Sequence, residues 1–319
     1  MNNREDIQLM VQVARLYYEN QLNQKEVASR LNITRQKVSR LLIAAKSKGI
    51  VRTVVYDPSP ADSDLGNKLK QLYDLHDVVL THGENLESNR LRAGIGLAAA
   101  EYLKRTLQAD QEVGIGWGRT LFETFNLIRE GGQKRINVVP LIGGIGDISP
   151  FFQVNELARQ LANAFAGTYR QIYAPAFVED SSILENLLKT QEVAQASELW
   201  KDLDVAVVGI GHVEFQQISS MFFADHITPQ TLAQLEAKGT VGDICARFFN
   251  IQGTQIFPEL GVIGINLDQL KAIPEVIAIA GGMEKVRAII GALQGGYIKT
   301  LITDSRTAQV VLAENEGRR

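Results

Sequence analysis

The feature that most constrains the fold is a pattern used five times, in which a short apolar run ends in a glycine or polar turn and an amphipathic helical stretch follows. Residues 112–115 run into Gly116-Trp117-Gly118-Arg119-Thr120, residues 136–142 into Gly143-Gly144-Ile145-Gly146, and residues 204–208 into Gly209-Ile210-Gly211. Residues 276–280 and 300–303 run into Gly281-Gly282 and Asp304-Ser305. Strands of near-continuous apolar character that alternate with helices predict a parallel sheet buried on both faces. Helices are also predicted over 63–73 and 88–107, with a first strand over 77–80. The expected fold class is α/β, a large three-layer domain with a mostly parallel sheet behind a small helical head.

In open sheets of this kind the ligand crevice lies outside the carboxyl ends of the strands, where all of these glycine turns fall. The turn Gly116-Trp117-Gly118-Arg119-Thr120 suits an anion best. Its glycines permit close backbone approach, the helix beginning near Thr120 offers unpaired N–H groups, and Arg119 adds a cation. It is not a P-loop, because no Lys follows the last glycine, and it is not a dinucleotide fingerprint. Gly143, Gly144 and Gly209 sit in the equivalent turns of neighbouring strands. Gln153, Asn155, Asp243 and Lys285 are polar candidates to complete the site. Each has a plainer reading, as helix caps for the first three and a surface lysine for the last. Residues 250–253 read as a hairpin turn whose flanking aromatics, Phe248, Phe249 and Phe257, are expected in the core.

The amino-terminal region follows a different period. Val27, Ala28 and Leu31 form one short apolar face, and Val38, Leu41, Leu42 and Ala45 keep the i, i+3, i+4, i+7 spacing of a second helix. Asn23 with Glu26 reads as a capping box and Thr34 as the second N-cap, so the expected unit is a helix-turn-helix. Apolar spacing from Ile7 to Tyr17 predicts a bracing helix ahead of it. Between Lys25 and Arg52 eight basic residues face one acid, a net of +7; the whole chain carries −3, so the remainder carries −10. Positive charge this local is the footprint of a phosphate-backbone partner. On a helical wheel Gln36, Ser39 and Arg40 turn away from the apolar stripe, as does Ile43. Gln36 and Arg40 are suited to base edges in the major groove, while Arg35 and Lys37, with Thr34 at the helix start, suit phosphates. Residues 50–56 are strand-like and lead to Asp57-Pro58-Ser59-Pro60, which places a boundary between a DNA-binding domain, 1–57, and an effector and oligomerisation domain, 58–319.

Several classes are disfavoured. The opening residues carry charges of both signs and no apolar signal core, and no apolar run approaches the ~18 residues of a spanning helix, so a cytoplasmic location without a membrane partner is expected. The single Cys245 cannot form an internal disulfide. His76, His82, His212 and His226 lack metal-ligand spacing, and no nucleophile-and-base arrangement is legible, so neither a metal nor a cofactor is expected.

The segments VARLYYENQLNQKEVASRLNITRQKVSRLL, GIGWGRT, VVPLIGG, VAVVGIG, VGDICARFFN, IAIAGG and GGYIKTLITD together resemble the SorC-type bacterial sugar-responsive transcriptional regulators. The resemblance spans nearly the whole chain in the family's order. It implies a sensor domain of the sugar-phosphate isomerase and deaminase (NagB/RpiA-like) type that binds a phosphorylated sugar without turning it over. It further implies a homodimer or homotetramer that binds a double-stranded DNA operator. By motif, Gly118, Arg119 and Thr120 fall at the phosphate-cradling loop, and Gln153, Asp243 and Lys285 at polar effector contacts. Some relatives carry Lys or Arg immediately before the Gly-Gly pair, where this chain has Ile142, so an imine at that position is excluded. The subgroup responsive to phosphorylated autoinducer-2, known from LsrR, shares much of the pattern; pentose and hexitol phosphates are equally eligible effectors. The expected function is a DNA-binding regulator of a carbohydrate-related operon, not an enzyme. The competing reading is a sugar-phosphate isomerase or hydrolase fused to a basic head.

Overall fold

The computed structural model describes residues 3–48, 50–51, 60–82, 88–146, 152–213 and 226–316. The chain divides into two compact units, Met1–Val55 and Tyr56–Arg319. The strand-like segment 50–56 falls almost wholly outside the described residues.

In the first unit, α1 (Asn3–Ala14) passes into a π-helical turn, Arg15–Glu19, which the even apolar spacing does not reveal. Helix α2 (Gln24–Leu31) starts with the full capping box. The Asn23 side chain accepts from the N–H groups of Lys25 and Glu26 at 3.0 and 3.1 Å, and the Glu26 carboxylate accepts from the Asn23 N–H at 2.7 Å. It ends at Asn32, whose φ of 51° lies in the left-handed region that Asn tolerates at a helix end. Helix α3 (Arg35–Ser47) begins three residues later, capped by the Thr34 hydroxyl, which accepts from the Lys37 N–H at 3.2 Å. Val13, Val27, Ala28, Val38 and Leu42 close a small core, with α1 packed on α3.

The second unit opens with α4 (Pro60–Tyr73), β1 (Asp77–Thr81), α5 (Ser88–Thr106), β2 (Glu112–Ile115), α6 (Arg119–Leu127) and β3 (Asn137–Pro140). It continues through α7 (Val154–Ala164), β4 (Thr168–Tyr169), β5 (Phe177–Val178), α8 (Ser181–Leu188), α9 (Gln191–Leu199), β6 (Val205–Val208) and β7 (Gly211–His212). Then come α10 (Pro229–Ala237), β8 (Thr240–Ile244), β9 (Arg247–Asn250), β10 (Gln255–Ile256), β11 (Gly261–Val262) and α11 (Leu267–Ala272). Strand β12 (Glu275–Ile279), a 3-10 turn at Met283–Lys285, α12 (Val286–Gln294), β13 (Thr300–Asp304) and α13 (Ser305–Glu316) complete it.

Seven strands form an entirely parallel sheet in the order β1-β13-β12-β6-β2-β3-β4. Connections from β1 through β2 to β4 travel one way across the sheet, and those from β6 through β12 to β13 travel the other way. Right-handed crossovers therefore put α5, α6 and α7 on one face and α12 on the opposite one, with α13 and α4 beside it. Both faces are covered, which is why the central strands are apolar throughout: Val205–Val208 is buried at every position. The direction of travel reverses between β2 and β6, and such a switch point opens a crevice at the carboxyl edge.

An antiparallel sheet, β10-β9-β8-β7, accompanies the parallel one and was not apparent from the alternation of strands and helices. The turn at 250–253 does join a hairpin, β9 to β10. Phe248 and Phe249 beside it are buried, but Phe257 is 71% exposed, because it lies just past the two-residue β10 and leaves the sheet. The strand expected over 136–142 is shorter: the Leu141 N–H still donates to Ile115 of β2, but Ile142 bridges to Gly264 instead.

Candidate functional site

A cavity of about 150 Å³ opens at the carboxyl ends of β2, β6 and β12, at the switch point. Gly118, Arg119 and Thr120 line it from the start of α6, Gly209 from the turn after β6, Gly211 from β7, Asp243 and Cys245 from β8 and its turn, and Gly281 and Lys285 from the turn after β12. Two helical starts meet there. Gly118 precedes α6 with φ 131°, Gly282 precedes the 3-10 turn with φ 105°, and no side chain caps either end. Side chains cap α2, α3, α8, α10 and α11, while α7, α9 and α12 also start without one. Glycine supplies the unusual backbone, and the first N–H groups of α6 are left for an anion.

Asp243 is 5% exposed and sits in β8, paired to Gly211 on β7 and Phe248 on β9, so it is not a helix cap. Its carboxylate accepts from the Ala246 N–H at 3.1 Å. Glycine at position 211 leaves room for this carboxylate: a Cβ there would lie 2.0 Å from Asp243 Oδ1, so the Asp243 side chain would have to shift. Burial pushes the Asp243 carboxyl up to about 6, against the opposing pull of the Ala246 N–H and the Lys285 ammonium. Burial also lowers the Lys285 ammonium, which Asp243 and Glu284 counteract and to which Arg92 and Arg119 add. Lys285 donates to the Ile210 carbonyl at 2.5 Å. Three cations, Arg92, Arg119 and Lys285, thus share one small cavity with two carboxylates, Asp243 and Glu284.

The turn from β8 to β9 has only two residues, Cys245 and Ala246, with φ of 50° and 57°. Two positive φ values make a type I′ turn, usually built from Asn and Gly, so the non-glycine pair is strained. Asp243 holds it from one side; on the other, Arg247 donates to the carbonyls of Ile265, Val262 and Gly264 at 2.9, 3.3 and 2.8 Å. The Cys245 thiol is pushed up to about 12 by burial and then by Asp243, so it is a protonated wall of the cavity at neutral pH.

The other sequence candidates are not part of this lining, although Gly116 backs onto Cys245. The Gly116 N–H donates to Val207, extending the β2 ladder. Those of Gly143 and Gly144 donate to the carbonyls of Ile263 and Ala174. Gln153 occupies the N-cap position of α7 without capping it; its amide instead engages both backbone groups of Ile145. The Asn155 amide clasps Ile172, accepting from its N–H at 3.0 Å and donating to its carbonyl at 3.1 Å. Sequence reasoning missed Arg92 and Glu284, which also line the cavity. The carboxyl-end rule applied to strand 77–80 leads into the helix that carries Arg92.

In the first unit, α3 exposes Arg35, Gln36, Lys37 and Arg40, leaves Ser39 half-buried and presents Thr34 at its exposed start. Helix α3 contains no acidic residue. A cation-lined cavity at a sheet switch point, in a chain whose other unit is a helix-turn-helix with a basic outer face, defines a class: ligand-responsive transcriptional regulators.

Comparison with known proteins narrows the class to a family. Residues 57–313 match the Sugar-bind family model, described as "Putative sugar-binding domain". The deoxyribonucleoside regulator of Bacillus subtilis is 30% identical over 97% of this chain and 98% of its own length. The sorbitol operon regulator of Klebsiella pneumoniae is 30% identical over 98% of this chain and 100% of its own. Its full-length crystal structure superposes with a TM-score of 0.75 over 96% of this chain and 99% of that chain, at 29% identity. The transcriptional regulator LsrR of Escherichia coli K12 is 32% identical over 94% of both chains. The chain belongs to the SorC-type family of sugar-binding transcriptional regulators. It is a regulator and not an enzyme. Among the described residues no helix is long and apolar enough to cross a membrane.

Proposed function

We propose that this chain controls a carbohydrate-related operon from the cytoplasm, binding operator DNA through α3 and changing that affinity when a phosphorylated sugar fills the cavity. The observation that carries the reading is the convergence of Arg92, Arg119 and Lys285 with the uncapped start of α6 at the switch point. Gly118, Arg119 and Thr120 cradle the phosphate, while Asp243, Lys285 and the turn at Gly209 meet the hydroxyls of the sugar. The names of the relatives, which concern sorbitol and deoxyribonucleosides, support a sugar-derived effector. Gln36, Ser39 and Arg40 read bases and Thr34, Arg35 and Lys37 hold phosphates.

Regulation requires the effector to bind one arrangement of a homodimer or homotetramer more tightly than another, since only differential affinity shifts the equilibrium. A 30-fold change in operator affinity needs about 2 kcal/mol of such coupling.

Thermal shift with matched pairs of sugars and sugar phosphates tests the reading. A phosphorylated ligand at a hundredfold excess over Kd stabilises by about 2.7 kcal/mol, several degrees in Tm for a domain of this size. Equal shifts from the unphosphorylated partner would remove the phosphate from the proposal.

A further inference from the structure

We propose that Ile43 is a specificity-determining residue that contacts the C5-methyl group of a thymine in the operator's major groove. The inference rests on α3 being the DNA-reading helix.

Ile43 is 66% exposed, the most exposed of the large aliphatic side chains among the described residues. Its location distinguishes it from an isolated surface hydrophobe. At 100° per residue, Gln36, Arg40 and Ile43 fall within a ~60° arc opposite the buried stripe of Val38, Leu42 and Ala45. Ile43 follows Arg40 by three residues and Gln36 by seven, so the three form a line about 10 Å long, the span of roughly three stacked base pairs. Gln and Arg present hydrogen-bonding groups to purine edges; thymine is the base whose major-groove edge offers a methyl, and an aliphatic side chain is its partner.

Charge decides between DNA and a second copy of the head as the occupant. The exposed charged residues of α3 are Arg35, Lys37, Arg40 and Lys46, all basic, and the helix has no acid to pair with them. Two such faces would repel each other, whereas a phosphate-lined groove attracts both the cations and, once docked, the methyl contact.

The test uses the full-length protein and a duplex recovered by selecting the protein against a random library. Replacing single thymines by deoxyuridine removes one methyl at a time, and operator affinity is measured for wild type, Ile43→Ala and Ile43→Val. With the corresponding thymine replaced in both half-sites bound by a dimer, wild type loses about 15-fold (about 0.8 kcal/mol for each of the two methyl groups). Ile43→Ala loses a similar factor on the thymine duplex and nothing further on the deoxyuridine duplex, while Ile43→Val stays close to wild type. Undiminished discrimination by Ile43→Ala overturns the proposal, as does a loss seen only in the cooperativity of assembly. Failure of the wild-type protein to select any duplex overturns the DNA-reading role of α3 itself. Because Ile43 is exposed, an unchanged Tm shows that each variant is folded.

Discussion

Replacing Asp243 by Asn gives a sharp test of the buried carboxyl beside the cavity. An unfolded Asp titrates near 3.9, and in the folded protein the Asp243 carboxyl is held at about 6. A raised carboxyl pKa means that the folded state binds the proton more tightly than the unfolded state. The resulting stabilisation is fully present below about 3.9 and is lost as pH rises through about 6. The whole effect is on the order of 3 kcal/mol, of which about 1.4 kcal/mol falls between pH 5 and pH 8. Asn retains an oxygen to accept from the Ala246 N–H, so the strained turn keeps its support while the titration disappears. Wild type should therefore lose about 1.4 kcal/mol relative to Asp243→Asn between pH 5 and pH 8. That corresponds to about 3–5 °C in the difference between their melting temperatures. Differential scanning calorimetry of both proteins in matched buffers measures it. Two Tm profiles that remain parallel across this range would refute the raised pKa; a difference of opposite sign would show that Asp243 is ionised and stabilised there by its cationic neighbours.

Arg119→Ala should preserve operator affinity in a gel-shift assay yet abolish the response to a phosphorylated effector, because it removes an exposed cation from the mouth of the cavity. Arg40→Ala should weaken specific operator binding by about 5- to 150-fold, the equivalent of one base contact worth roughly 1–3 kcal/mol, with Tm unchanged. Gly211→Ala should cost roughly 1–3 kcal/mol of stability, because its methyl would stand 2.0 Å from Asp243 Oδ1; a variant that retains both stability and effector response would show that Asp243 is free to move. Operator affinity should fall steeply with salt, at a log–log slope of roughly −0.9 per phosphate contacted, and a shallow slope would argue against the basic head as the contact surface.

Much of this protein was decided within short windows of sequence. The capping box at Asn23 and Glu26, the Thr34 cap, the apolar spacing of α3 and the strand at Glu112–Ile115 all depend on residues a few positions apart, so periodicity and capping reveal them directly. The same holds for the phosphate-suited turn, because a strand running through glycines into a helix is itself a local object. The concentration of charge in residues 25–52 needs only counting.

Tertiary structure decided which of those local objects meet. Lys285 comes together with Arg119 because β12 lies across β6 from β2 in the sheet, and Asp243 joins them because β8 pairs with β7, an order no local pattern encodes. Arg92 enters the same cavity from the helix after β1, while Asn155, equally polar and equally close to a glycine turn, is committed to the backbone of Ile172. The raised carboxyl of Asp243 follows from burial between β9 and the sequence-distant β7, and the strained Cys245-Ala246 turn lacks the Asn-Gly signature that would announce it. Sequence by itself determined the caps of α2 and α3, the strand-to-glycine turns of the parallel sheet and the charge of the basic head. The site belongs to the tertiary structure, because burial and the meeting of charges depend on long-range strand order, while helix and strand formation depends mainly on near neighbours.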